Sequence, residues 1–439
     1  MSHALTSGAA GPHAPDNAAT MPLDPRATDT HKATDLRVWT PLRFGAFRAA
    51  WIAAVFAIGA IWMQDVGAGW LMKGLSGGDP LMVALVQAAT SLPVMLLVVP
   101  AGTLGDLVDR RRFLLWALSW LAVTSAALTL MSLGNVHPTW LLALTFAAGA
   151  GKAMILPGFA AAGAELAQRS QLQQAVGLHS VANNAGRIVG PGIAGLLVVA
   201  AGVPAVFAAT LGAFLLAWLL VASVPRDSFA VRGGPRPGFL EALLGGLRHC
   251  WHDFVFRRVA LRVATFFLCA IGVHALLPLL VTDAHWFGIG WAFYGIGAIA
   301  GAFFFPRFAT SLALSRQLTI GIGVHAAALG LLSAPGGNLA RTALLLVAGA
   351  AWYVVVSAGQ LAVQRELPNA LRARGMAVFT IVMMGGFVAG ALLWGSVARA
   401  IGVHSTLQAV AATSLAGLAL TANLRVARDD GRGHGHRPH

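Results

Sequence analysis

Twelve apolar stretches of about 20 residues follow one another along this chain, at 49–72, 81–104, 113–134, 139–163, 172–200, 203–224, 260–282, 288–309, 317–335, 340–362, 376–398 and 404–424. Each is long enough to cross the hydrocarbon core of a bilayer as a helix. In lipid the backbone must satisfy its own hydrogen bonds, so consecutive stretches of this kind can fold only as an all-α bundle of membrane spans. The composition agrees: 57% of residues are hydrophobic and 10% charged, with a mean hydropathy of +0.73. A water-exposed surface over 439 residues would need far more charge.

The net charge of +14 reflects topology and does not point to nucleic acid. Lys73, Arg341 and Arg399 fall on one side of the spans, and Lys152 and Arg187 fall inside them. The remaining lysines and arginines gather in, or within a turn of, the other loops and the two tails. By the positive-inside rule both termini are expected in the cytoplasm of a multi-pass protein of the bacterial cytoplasmic membrane. Residues 1–47 carry no apolar core of signal-peptide type and are expected as a disordered cytoplasmic tail, as are 426–439. His434, His436 and His439 suggest weak metal affinity, but a solvated low-complexity tail is the plainer reading, and no metal site is expected. Cys250 and Cys269 are not expected to pair.

The chain repeats itself faintly. Gly186, Gly190 and Gly195 recur as Gly386, Gly390 and Gly395, and Glu165-Leu166 is echoed by Glu366-Leu367. Small residues four apart let helices approach closely in lipid, and Gly297 and Gly301 repeat the spacing. A duplication of six spans predicts bundles over 48–224 and 260–425, joined by a cytoplasmic linker at 225–259. Within the linker Phe239, Leu243, Leu247, Trp251 and Phe254 fall on one helical face. An amphipathic interfacial helix is expected there, with Arg257, Arg258 and Arg262 near the headgroups.

A charge near the bilayer centre costs at least about 2.5–3.5 kcal/mol, so each one needs a partner or a task. Asp65, beside Gln64, lies in the outer half of span 1. Lys152 lies midway along span 4 and Arg187 midway along span 5. His179, Asn183 and Arg187 share a face, with Asn184 adjacent. Tyr353, Ser357, Gln360 and Gln364 form a polar stripe on span 10, and Gln87 and Thr90 mark span 2. Two readings stand: Asp65 pairs with Lys152 or Arg187 merely to hold helices together, or these groups line a substrate cavity in which Asp65 exchanges a proton. Burial and a neighbouring cation act oppositely on a carboxylate's affinity for its proton, which would let one group serve as a switch. His274 is a second titratable candidate, or a packing histidine. Trp62, Trp70, Phe266, Trp352 and Met383–Met384 are candidate apolar walls. In span 5, Pro191 removes a backbone donor beside Gly190 and before Gly195, so a bend is expected there.

Between spans 2 and 3 the chain reads Gly102-Thr-Leu-Gly105-Asp106-Leu-Val-Asp109-Arg110-Arg111-Arg112, with five charges in seven residues. This loop resembles the signature loop of the major facilitator superfamily. The Gly190–Gly195 segment resembles the Gly-Pro-x-x-Gly motif of that superfamily's antiporters. Trp62-Met63-Gln64 with Trp70, Asn184 through Gly195, Ala275-Leu276-Leu277-Pro278 and Glu366-Leu367-Pro368 through Leu393-Trp394-Gly395 are together similar to the enterobactin-exporter-like branch, known as transmembrane secretion effectors, over roughly 48–425. The resemblance implies twelve transmembrane helices in two pseudo-symmetric six-helix bundles, alternating access, and export of a small molecule driven by proton entry. It also implies that Asp106 faces the start of helix 11 near Arg374–Met376, and that Arg110–Arg112 bridge to acids such as Glu165 to lock a cytoplasmic gate; Glu366 belongs to the same group. The loop after span 8, Gly301 to Arg307, lacks the acid, so a one-sided lock is expected.

A monomeric, proton-coupled exporter of a siderophore- or drug-like molecule follows as the leading expectation, with the lipid bilayer, protons and the small molecule as partners. An importer or symporter on the same scaffold and a non-transporting sensor are the rivals. No nucleotide loop, metal-ligand spacing or nucleophile–base set is present, so neither an enzyme, a cofactor nor direct ATP drive is expected.

Overall fold

The computed structural model describes residues 39–134, 137–229, 254–281, 283–309, 312–366 and 369–422. Residues Val38–His439 form one compact unit. A short turn at Thr40–Arg43 leads into α1 (Gly45–Leu75), which starts four residues ahead of the expected span. Then follow α2 (Pro80–Leu107), α3 (Arg110–Ser132) and α4 (Pro138–Leu166). The starts have local causes. Asp79 accepts from the Leu81 amide at 3.0 Å just ahead of Pro80, Asp109 accepts from the Arg112 amide at 2.8 Å, and His137 caps the helix that opens on Pro138.

Leu172–Ser223 runs as 52 helical residues. At 1.5 Å per residue that is about 78 Å, more than twice a bilayer core. The run breaks at Gly202, with φ +77° and ψ 177°, a region essentially reserved for glycine. The two pieces, 172–201 and 203–223, are α5 and α6. The helix continues through Pro191, and Gly190 beside it makes the close helix contact, packing on Gly59 and Trp62 of α1.

The second half holds α7 (Phe254–Leu280), α8 (Ala284–Ala309), α9 (Leu314–Leu332), α10 (Asn338–Glu366), α11 (Asn369–Ile401) and α12 (Val403–Ala422). Among the described residues ten runs are long and apolar enough to cross a membrane, with the broken Leu172–Ser223 run counting once; α9, which carries Arg316, Gln317 and His325, falls outside that set. Exposed Trp116, Val123, Leu130, Trp140, Leu219 and Leu420 lie on the outside of the bundle, where hydrocarbon would receive them.

The linker stripe from Phe239 to Trp251 lies outside the described residues. Its expected basic flank is only partly as read. Arg257 is exposed, but Arg262 is fully buried and donates to Ser315 Oγ at 3.3 Å and to Thr319 Oγ1. Because α7 begins at Phe254 rather than 260, Arg262 sits two turns inside the bundle, where the hydroxyls of α9 replace headgroups.

Glycine contacts relate the two halves. Gly186 and Gly190 of α5 press on Ile58, Gly59 and Trp62 of α1, and Gly386 and Gly390 of α11 press on Phe267, Leu268 and Ile271 of α7. Gly195 meets Gly288 of α8, while Gly395 meets Ala84 of α2. Gly149 of α4 rests on the Thr90 carbonyl, and Gly349 of α10 on the Tyr294 carbonyl. Gly202 and Gly402, both at positive φ, turn α5 into α6 and α11 into α12. These contacts fix a register in which α1 maps onto α7 with a shift of 209 residues, α2 onto α8 with 204, and α4 and α5 onto α10 and α11 with 200.

Candidate functional site

In the first bundle three side chains close on one another. Lys152 Nζ of α4 lies 2.5 Å from Asp65 Oδ2 and 2.7 Å from Oδ1 of α1, and it also donates to Thr90 Oγ1 of α2 at 2.9 Å. Thr90 Oγ1 donates to Asp65 Oδ1 at 3.1 Å. The lysine and aspartate side chains are only 11% and 15% exposed. Of the two cations offered by the sequence, the structure pairs Asp65 with Lys152. Gly149, one turn before Lys152, lets α4 lie against the Thr90 carbonyl and so sets the lysine's reach.

The register places His274 in the second bundle where Asp65 stands in the first, Tyr294 where Thr90 stands, and Trp352 where Lys152 stands. These residues also cluster. The His274 ring lies 5.2 Å from Trp352, 5.6 Å from Tyr294 and 4.9 Å from Trp291. Phe387, the counterpart of Arg187, stacks on Trp352 at 5.8 Å. An ion-paired node in one bundle is thus matched by an aromatic node in the other.

Arg187 sits between the two. Its guanidinium lies 5.4 Å from the Trp62 ring centroid of α1, and its helix meets the second bundle where Gly192 lies against Ala292 of α8, a residue between Trp291 and Tyr294 in sequence. No carboxylate lies in ion-pair reach of it among the described residues. The rest of its expected stripe turns inward on itself: Asn183 Nδ2 lies 2.9 Å from His179 Nε2. Asn184 is half-buried. Gln64 and Gln87 are buried. On α10 the stripe of Tyr353, Ser357 and Gln360 is half-buried; Ser357 bonds the Tyr353 carbonyl at 2.7 Å, and Tyr353 backs onto Gly301 of α8. The neighbouring Trp352 points into the aromatic node. Trp291 and Tyr294, absent from the sequence-based set, complete it; only their place beside glycines on a span singled them out.

At the charged loop, Arg110 Nη2 lies 3.3 Å from Glu165 Oε1, joining α3 to α4. A Cβ at Gly105 would fall 2.8 Å from Arg110 Nη1, so the glycine makes room for this arginine. Arg111 donates to the Ala222 carbonyl at 2.5 Å, capping the end of α6, and Asp109 serves as the N-cap of α3. Gly102 faces open space. The side chains of Asp106, Glu366 and Arg374 lie outside the described residues.

At the opposite end the bundles are sewn together. Lys73 Nζ of α1 donates to the Val281 carbonyl after α7 at 2.7 Å, Arg399 of α11 lies 3.3 Å from Asp79 before α2, and Trp70 stacks on Phe287 at 4.5 Å. Gly195 and Gly288 close the same end between α5 and α8. Among the described residues no group of three or more His, Cys, Asp or Glu side chains could hold a metal, and Cys269 is free and buried.

Comparison with known proteins agrees with this fold. The sequence pattern of the transmembrane secretion effectors matches residues 36–435. The chain is 28% identical over 366 residues to the "Multidrug efflux pump Tap" of Mycolicibacterium fortuitum, covering 76% of this chain and 84% of that protein. It is 32% identical over 152 residues to the "Uncharacterized MFS-type transporter YfiS" of Bacillus subtilis, a match that spans 34% of this chain and about a third (35%) of that relative. Among solved structures, the nucleoside transporter NupG superposes with a TM-score of 0.70 at 13% identity, covering 87% of this chain and 98% of that one. A bacterial homolog of the human lysosomal transporter Spinster, in an inward-facing and occupied conformation, superposes with a TM-score of 0.66 at 15% identity, covering 87% and 96%. These two likenesses speak for the fold.

Proposed function

Since the chain belongs to the transmembrane secretion effectors of the major facilitator superfamily, and is therefore a multi-pass membrane transporter and not an enzyme, we propose that it exports a small organic molecule from the bacterial cytoplasm by proton antiport and alternating access. The observation that carries this reading is the buried Asp65–Thr90–Lys152 node, a titratable pair held inside a span bundle. In this reading a proton reaching Asp65 loosens its hold on Lys152, and that exchange couples proton entry to the opening of the opposite end. His274, at the equivalent place in the second bundle, is the second proton-handling group. Gln64, Gln87, Asn183, Asn184, Arg187, Tyr353, Ser357 and Gln360 line the path of the substrate. Glycines 102 and 105, Asp106, Asp109, Arg110 to Arg112, Glu165, Glu366 and Arg374 form the gate, with Gly190, Pro191 and Gly195 aligning α5.

Both termini are placed in the cytoplasm, and the protein acts as a monomer. In that orientation the sewn end is extracellular. The bundles span 48–224 and 260–425, with 225–259 as tether. The relatives named as multidrug efflux pumps support export. The test is uptake into inverted, proton-loaded proteoliposomes against a panel of dyes, drugs and siderophores. Proton-driven accumulation of one panel member is expected. Accumulation only under an oppositely directed gradient would favour an importer.

A further inference from the structure

The two symmetry-related nodes differ in how their polar atoms are satisfied. In the first bundle Asp65, Thr90 and Lys152 bond one another. In the second, Tyr294 Oη, Trp291 Nε1 and Trp352 Nε1 are buried without a partner, on side chains that are 5%, 5% and 2% exposed. Arg187 Nε, on the helix that meets α8 at Ala292, is also buried without a partner. A buried donor left without an acceptor is costly, and native proteins keep few of them without a use.

Apart from His274 Nδ1, which is also buried without a partner and takes either role with its tautomer, these atoms offer donors. Indole N–H and guanidinium groups are donors only, and the Tyr294 hydroxyl can donate. The walls are rings: Trp352 stacks on Phe387, and Phe267 meets both edge-on. An aromatic box alone would suit a cation. Here the Arg187 guanidinium, with no carboxylate in ion-pair reach among the described residues, comes from the helix that packs on α8 at Ala292, and there it would repel a cation and offer an anionic oxygen a charged, forked contact. Lys152 adds no further charge, because Asp65 neutralises it.

We infer that the His274–Trp291–Tyr294–Trp352 node with Arg187 is a subsite for an aromatic acid: a planar ring held among the aromatic side chains, with its anionic oxygens on Arg187 and the Tyr294 and tryptophan donors. The inference rests on the transport reading and names the substrate class for it.

Three probes of one shape separate the charges: 2-naphthoate, 2-naphthylmethanol and 2-naphthylmethylammonium. Equilibrium binding of each tritiated probe to the purified full-length protein in nanodiscs is the measurement. The acid is expected to bind at least tenfold more tightly than the ammonium. Arg187→Gln should remove that preference, and Arg187→Lys should retain part of it. Arg187→Gln deletes an unpaired buried cation, so its thermal transition should match that of the parent. Trp352→Phe, which keeps the ring and removes the donor, should weaken the acid several-fold and leave the alcohol unchanged. Ammonium binding as tight as the acid overturns the inference, as does an acid preference that survives Arg187→Gln. Counterflow in proteoliposomes separates the two readings. Exchange of the ammonium without the acid overturns the substrate class and leaves transport standing. Arg187-dependent binding of the acid without any counterflow upholds the subsite and overturns transport.

Discussion

Lys152 reaches both carboxylate oxygens of Asp65 while sharing Thr90 with it, so this buried acid of the first bundle is satisfied from two other helices at once. Removing one member leaves the other charge buried. Asp65→Asn is expected to lower stability by about 3–5 kcal/mol, read as a lower melting temperature in detergent. Adding Lys152→Gln should recover most of that stability without recovering proton-driven export. A double variant that still concentrates substrate against its gradient would remove Asp65 from the coupling.

The glycine contacts separate fold from movement. Gly190→Val should destabilise the first bundle, because a side chain there meets the Gly59 carbonyl within one bundle. Gly195→Val meets Gly288 of the other bundle instead. It should leave expression near normal and slow transport at least about tenfold, since the sewn end can no longer close. Size-exclusion yield and counterflow rate, measured side by side, distinguish the two.

Gly202 and Gly402 carry the same positive φ at the same place in each half. Gly202→Ala and Gly402→Ala should each cost about 1–3 kcal/mol, roughly additively because the sites lie in different bundles. Thermal melts of the single and double variants measure this. A neutral Gly202→Ala would show that the turn relaxes to a conformation open to any residue.

Glu165→Gln should weaken the α3–α4 junction by about 1–3 kcal/mol through loss of the Arg110 contact. It should also raise the accessibility of a cysteine probe placed at Thr103. Unchanged labelling would detach this ion pair from gating.

Reporter fusions check the orientation. Fusions at Arg232 and Arg428 should score cytoplasmic, and one at His137 external. An external score at Arg232 would reverse or break the proposed six-plus-six arrangement.

Helix positions could be read from the sequence because twenty-residue apolar runs have few alternatives in a chain this poor in charge. Two of them begin ahead of the apolar run, α1 at Gly45 and α7 at Phe254, because helical backbone continues beyond the apolar residues that a hydropathy reading counts. The repeat could be read only in part. Helices 4 and 5 keep one displacement, whereas α1 and α2 drift by nine and four residues because the connecting segments differ in length, so the pairing of Asp65 with His274 needed the contacts. Asp65's choice of Lys152 over Arg187 was open because both cations lie at similar depth. Tyr294 and Trp291 gave only the weak signal of neighbouring glycines, since a span is full of rings whose function depends on what their single polar atom meets. Arg262 was misjudged because a basic residue near a span end ordinarily seeks headgroups, and only α9 shows that hydroxyls are waiting for it.

The two straps at the sewn end differ in kind. The Arg399 side chain facing Asp79 is 59% exposed, so ordinary salt surrounds that pair and its hold is worth little. Lys73 instead donates to a carbonyl of the main chain and lies over Trp70, a contact that mobile ions screen poorly. The same closed end is therefore fastened by one tie sensitive to the salinity of its surroundings and one indifferent to it. In the proposed orientation, a cell moved between dilute and briny media would change how firmly α2 and α11 meet while the α1–α7 edge stays as it was.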